Sequence, residues 1–196
     1  MENSNLSRED WLRAARLALL KGGPAAVRIE KIARDLKITK GSFYWHFKDR
    51  EELFEALLHE WEEEKSLLVN VISKNNLAEA MSSLFNELQQ RVILSERGEW
   101  PSDAAIFAWA SVSPKVAKRV NKEEQRRIEL LKQLIGVPEL AEYIYMAYLG
   151  FILRRRRVPA AVKNFPILAN ISTELALSSQ PKVNTRKAKS KVYSES

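Results

Sequence analysis

The chain has 196 residues, 45 % of them hydrophobic, which allows a substantial buried core in one large domain or two smaller ones. It has no cysteine, which excludes disulfides and thiolate chemistry and suits a reducing compartment, and its two histidines leave little material for general acid–base catalysis. The net charge of +7 is uneven: residues 1–50 hold 11 Lys/Arg against 6 Asp/Glu, residues 51–150 hold 11 against 17, and residues 151–196 hold 10 against 2. Two basic ends around an acidic centre suggest a polyanion partner for at least one end, with mere solubility as the plain alternative.

No apolar run approaches the ~18 residues of a membrane span, and the polar, acidic start "MENSNLSRED" does not fit a signal peptide. Six glycines and scattered Val, Ile and Thr favour helices over sheets. Ser7 with Asp10 predicts a capped helix start, and Trp11, Ala15, Ala18 and Leu19 share a face until Gly22-Gly23-Pro24. Ile29, Ile32, Ala33 and Leu36 give a short second helix with one apolar stripe. Thr39 is placed to cap a third, and Asp49 with Glu52 to box a fourth through Leu53, Phe54, Leu57 and Trp61.

Asn76 with Glu79 opens the next helix, and "ERGEWPSD" reads as a loop into "AAIFAWA". Ser113-Pro114 starts a long helix that Gly136 and Pro138 end, Pro138 opening its successor. Leu140, Ile144, Ala147, Tyr148 and Phe151 then share one stripe, and Val162, Phe165, Leu168, Ile171 and Leu175 the last, where Pro166 marks a kink or the true start. Residues 179–196 lack apolar periodicity and read as a disordered basic tail.

The segment "ITKGSFYWHFKDREEL" is the most informative. Its short helix follows the second after only "LKIT", the spacing of a helix-turn-helix. At 100° per residue, Phe43 and Phe47 face the core, while Gly41 and Trp45 point outward with Ser42 and Tyr44 on the shoulders. Such a face, bordered by Lys40 and Lys48, suits a DNA groove: glycine permits close approach, Tyr44 offers a hydroxyl to phosphate, and the lysines and His46 can meet phosphates. The free amides opening the fourth helix can bind another phosphate.

Residues 29–53, "IEKIARDLKITKGSFYWHFKDREEL", resemble the DNA-binding signature of the TetR family of bacterial transcriptional regulators. Ile32-Ala33, Thr39, Phe43-Tyr44, His46-Phe47-Lys48 and Leu53 fall in its register. One position departs: the family usually has glycine where Lys37 stands, at a turn needing positive φ, which costs a non-glycine residue on the order of 1 kcal/mol. The resemblance implies phosphate contacts from Tyr44, His46, Lys48 and Arg28, with Thr39, Lys40, Gly41, Ser42 and Trp45 at or near base edges.

The expected architecture is all-α, with about nine helices. A DNA-binding head spans residues 1–50, with its helix-turn-helix at about 29–48, and a helical ligand-binding and dimerisation body spans 51–178. The stripes Leu140–Phe151 and Val162–Leu175 are the expected homodimer seam, a four-helix bundle in the resembling family. The resemblance also implies a small-molecule pocket, for which Phe85, Trp100, Phe107, Trp109, Tyr143 and Met146 are candidates. Neither a cofactor nor a metal is expected, since "HEWEEE" lacks HExxH spacing and reads as a solvated face. "RRRR", Arg154 to Arg157, complements a helix dipole. Together these imply not an enzyme but a cytoplasmic, nucleoid-associated dimeric repressor, released from a palindromic operator in double-stranded DNA by an effector. The rival reading is a helical protein-interaction module using the exposed aromatic patch.

Overall fold

A computed structural model describes residues 6–63, 70–71, 73–74 and 76–181, and every regular element among them is helical. The α-helices are α1 (Arg8–Gly22), α2 (Ile29–Asp35), α3 (Arg50–Glu62), α4 (Leu77–Glu96), α5 (Asp103–Ala110), α6 (Pro114–Ile135), α7 (Pro138–Arg157) and α8 (Phe165–Ser178). The segment expected as the third helix, Lys40–Trp45, is wound as a 3₁₀ helix. Single 3₁₀ segments also cover Pro24–Ala26 and Pro159–Asn164. Most of the expected basic tail, residues 182–196, lies outside the described residues.

Helix ends follow local chemistry. The Ser7 hydroxyl accepts from the Asp10 amide at 3.3 Å, and the Asp10 carboxylate accepts from the Ser7 amide at 2.8 Å, which closes a capping box. Asn76 accepts from the Glu79 amide at 3.0 Å. Prolines open α6 and α7, and Pro166 lies in the first turn of α8, so it marks that helix's start and no kink. Thr39 occupies the N-cap position before Lys40 but makes no capping hydrogen bond with its side chain.

Burial forms two clusters. The first gathers Trp11, Leu12, Ala15 and Leu19 of α1 with Ile32, Ala33, Phe43 and Phe47, then continues through Leu53, Leu57 and Leu58 of α3 into Ile106, Trp109, Val116 and Val120. The second holds Met81, Leu84 and Phe85 of α4, Leu131 and Ile135 of α6, Ile144, Tyr145 and Tyr148 of α7, and Phe165 and Ala176 near the end. Phe107 of α5 packs against both. Packing therefore runs unbroken past residue 50, and α3 serves head and body alike.

Ion pairs reinforce that join. Glu60 on α3 accepts from Arg16 at 2.8 Å, while Arg119 on α6 bridges Glu55 at 2.5 Å and Glu62 at 2.6 Å. The acidic face of α3, expected to be solvated, is thus partly paired. Burial raises the Glu60 carboxyl above its ordinary value, with the Arg16 charge opposing.

The turn after α4 docks on α1. Arg16, almost fully buried, donates through Nε to the Gly98 carbonyl at 2.5 Å and also meets Glu9; Arg13 donates to the Arg97 carbonyl at 3.2 Å. Gly98 has φ +71°, and a Cβ there would lie 2.7 Å from Leu17 Cγ and 2.8 Å from the Arg13 carbonyl. Positive φ and close approach both require glycine at this point.

The phase of the last two helices differs from the expected seam. Ile144, Tyr148 and Phe165 are buried in the single chain's own core, and Leu140, Ala147, Phe151 and Leu168 are half-buried. Val162, Ile171 and Leu175 are exposed. The face left in solvent on α7 is Tyr143, Met146, Gly150 and Leu153, and on α8 it is Ile167, Ile171 and Leu175. Tyr143 and Met146, expected in a pocket, therefore stand on the surface.

Candidate nucleic-acid interface

The 3₁₀ winding changes how the recognition segment divides its rings. Residues three apart eclipse, giving three rows: Lys40 with Phe43, Gly41 with Tyr44, and Ser42 with Trp45. Phe43 is fully buried, its ring meeting Trp11 edge-on at 5.1 Å and stacking on Phe47 at 5.4 Å. The other two rows turn outward, leaving Tyr44 52 % and Trp45 81 % exposed. Phe47 lies beyond the helix end and reaches the core because the chain turns at His46, where Arg8 covers its ring at 4.7 Å.

Around this face Arg28, Thr39, Lys40, Gly41 and Lys48 are exposed, and Ser42 and His46 are half-exposed. Lys40 is tied to Glu30 on α2 at 2.6 Å, which lowers the glutamate's pKa and raises the lysine's through that hydrogen bond and its charge. Among the described residues the structure gives no ion pair to Arg28, Lys37 or Lys48, which leaves those three cations available to an outside anion.

The start of α3 is less open than the sequence suggests. Asp49 accepts from the Glu52 amide at 2.9 Å, and Glu52 folds back to accept from the Lys48 amide at 2.6 Å. Of the first-turn amides expected for a phosphate, that of Glu52 is thus already capped by a carboxylate. Arg50, not singled out by the sequence, fixes this corner by donating to the Val27 carbonyl at 2.8 Å and the Pro24 carbonyl at 2.6 Å, over the Phe54 ring.

Lys37 has φ 59°, the one positive value outside glycine among the described residues. Lys37→Gly is expected to raise unfolding stability by about 1 kcal/mol, because it removes the Cβ strain of the left-handed conformation. Urea unfolding checks this, and an unchanged or lower midpoint counts against a strained turn.

A cavity of about 50 Å³ opens between α4, α6 and α7. Of the expected pocket residues, Phe85 lines it. Trp100 borders a separate hollow of about 20 Å³, under the Arg91 guanidinium at 5.1 Å. Phe107 and Trp109 pack against Trp61 and Phe54 instead. Beside the cavity Asp103 accepts from Trp61 Nε1 at 2.6 Å, from Arg127 at 3.0 Å and from the Tyr148 hydroxyl at 2.8 Å. Burial alone would raise the Asp103 carboxyl, but the Arg127 charge and these three donors outweigh it and hold the value below the ordinary one. The sequence signal for this network is a charged pair, Glu123 and Arg127, within the buried stripe Val116, Val120, Leu131 and Ile135 of α6.

Residues 12–57 match the family described as bacterial regulatory proteins, tetR family. The Transposon Tn10 TetC protein of Escherichia coli is 35 % identical over 63 residues, 29 % of this chain and 32 % of its own length. The HTH-type transcriptional regulator TtgR of Pseudomonas putida is 37 % identical over 57 residues, 29 % of this chain and 27 % of its own. The match thus spans about a third or less of these relatives. A transcriptional regulator from Rhodococcus sp. Rha1 superposes with a TM-score of 0.66 at 19 % identity, over 88 % of this chain and 97 % of that one. NalD, the secondary repressor of the MexAB-OprM multidrug efflux pump in Pseudomonas aeruginosa, does so at 0.60 and 20 %, over 89 % and 97 %. At that identity the solved structures carry the fold alone: residues 12–57 of this chain are similar to the TetR family of bacterial regulatory proteins, and the chain as a whole has the fold of solved transcriptional regulators.

Proposed function

We propose that the protein is a sequence-specific DNA-binding regulator of transcription. It acts in the cytoplasm and on the nucleoid, as a dimeric repressor that a small molecule releases from a palindromic operator. The observation that carries the reading is the division of rings on the recognition helix, with Phe43 buried as an anchor and Tyr44 and Trp45 held in solvent. Arg28, Lys37 and Lys48, which form no ion pair among the described residues, support phosphate contact around that face. Residues 1–50 act as the head and 51–178 as the ligand-binding and dimerisation body, with α3 common to both.

One head covers too little DNA for tight binding, so two must act together. The exposed apolar faces of α7 and α8 support pairing there, through Ile167, Ile171 and Leu175 in place of the buried Ile144, Tyr148 and Phe165. A ligand would favour a conformation whose two recognition helices no longer match one turn of DNA, roughly 34–36 Å.

The test is to select bound fragments from genomic DNA, then titrate salt in a gel shift. For about six phosphate contacts per dimer, affinity should fall on the order of 1,000-fold between 50 and 200 mM salt. Salt-independent binding, or none, would favour aromatic protein docking instead. Ile167→Glu with Ile171→Glu should give a monomer in sedimentation and weaken operator binding about 100-fold or more, through lost bivalency.

A further inference from the structure

We infer that the cavity between α4, α6 and α7 takes a small, neutral, mainly apolar molecule and holds it by one hydrogen-bond-accepting oxygen opposite the Tyr145 hydroxyl. The inference rests on the reading of the body as an effector domain and adds the chemical class of the effector. Leu84, Phe85, Leu88, Leu131 and Ile144 give the cavity an apolar wall, which favours hydrocarbon surface. Its polar end discriminates among ligands through hydrogen bonds that are already assigned.

The Tyr148 hydroxyl is committed to Asp103. Three guanidinium groups line the cavity: Arg127 donates to Asp103 and Glu123, Arg126 grips Glu123 with Nε and Nη2, and Arg91 donates to Glu87 at 3.4 Å. An anionic ligand would therefore meet carboxylates that already occupy these guanidinium groups, and a cationic one would meet the guanidinium groups themselves. Both would lose hydration without a matching charge.

Tyr145 differs from its neighbours. It lines the cavity and is 95 % buried, with 5 % of its surface exposed. Its hydroxyl has no hydrogen-bond partner among the described residues. A buried hydroxyl left unsatisfied is costly and uncommon in a core, and a ligand oxygen relieves that cost on binding. Burial also pushes the phenol's pKa upward, so it remains a donor throughout the neutral range. Ketone, ester and ether oxygens all suit such a donor. The unliganded space is small, so a ring-sized ligand must move the wall, and that movement reaches Tyr148 and Arg127, both bonded to Asp103.

The experiment compares acetophenone, its near-isosteric hydrocarbon isopropylbenzene, and benzoate, by calorimetry and by protein methyl signals of Leu131 and Ile144. Tyr145→Phe should weaken acetophenone binding roughly tenfold and leave isopropylbenzene binding unchanged or slightly tighter. Benzoate should bind no better than isopropylbenzene. Leu88→Trp, which fills the cavity, should exclude both neutral probes while keeping the helical circular-dichroism signal. The inference is overturned if Tyr145→Phe leaves acetophenone binding intact, if benzoate binds best, or if the wild-type chain binds neither neutral probe. Operator binding measured on the same preparations separates the two readings. DNA retention without probe binding sinks this inference alone, whereas probe binding without DNA retention sinks the regulator reading.

Discussion

Asp103→Ala is expected to lower unfolding stability by about 3 kcal/mol, near the low end for breaking a buried ion pair. The carboxylate accepts from Trp61, Arg127 and Tyr148, and its side chain is only 12 % exposed. Alanine removes three acceptor contacts at once and the nearest negative charge to Arg127. Glu123 remains 3.4 Å from Arg127, which is why the larger values in that range are not expected. For a chain of this size the melting temperature should drop by roughly 6–12 °C, read by calorimetry. Asp103→Asn keeps an oxygen for Trp61 and should cost less.

The same carboxylate sets an acid limb. Its folded pKa lies below its ordinary 3.8, so ionised Asp103 stabilises the fold above that value, and the contribution is lost as pH falls through the folded value. Below about pH 4 the wild-type chain should lose stability more steeply than Asp103→Asn. Parallel acid limbs in urea titrations would show that Asp103 is not the titrating group.

The second large effect concerns DNA. Tyr44→Ala with Lys48→Ala should reduce operator binding on the order of 1,000-fold, from roughly 1–3 kcal/mol per contact counted in both heads of a dimer. Both side chains are exposed, and the anchors Phe43 and Phe47 are untouched, so the circular-dichroism signal should stay wild-type. Lys48→Ala alone should weaken all sequences about equally and reduce the salt slope by about one per head. Near-normal gel shifts by the double variant would mean that another surface meets the DNA.

Local chemistry made most of the helix ends legible. Ser7 with Asp10, Asn76, Pro114 and Pro138 act within one turn, so the sequence states them directly. The left-handed turn at Lys37 was readable through the family's habit of placing glycine there, and the structure has φ 59°. The winding of Lys40–Trp45 was not readable, because six residues carry too few turns for periodicity to separate 100° from 120° per residue. The outward direction of Tyr44 and Trp45 survived that error, since either winding buries Phe43.

The phase of α7 was lost for a different reason. From Tyr143 to Leu153, "YIYMAYLGFIL", no residue is charged, so two stripes fit the sequence equally and packing against α5, α6 and α8 decides which turns inward. Of the cavity's lining the sequence points to Phe85 alone, because tyrosines at helical spacing look the same whether they face a partner chain or a hollow. The charges in the α6 stripe were the visible clue, since Glu123 and Arg127 would not lie on a buried face without partners.

The docking of the turn at Gly98 on α1 bears on modularity. Because Arg16 reaches across to that turn, and because the apolar cluster runs from Trp11 through Leu57 to Val120, residues 1–50 do not form a detachable bead. A chimera that grafts this reading head onto a foreign trunk would strip one side of Trp11 and Leu12 of its neighbours unless α3, the Gly98 turn and the facing surfaces of α5 and α6 travel with it. On the proposed function, operator preference and effector response would therefore be inherited together, and exchanging one specificity without the other would mean altering the outward rows of Lys40–Trp45 residue by residue.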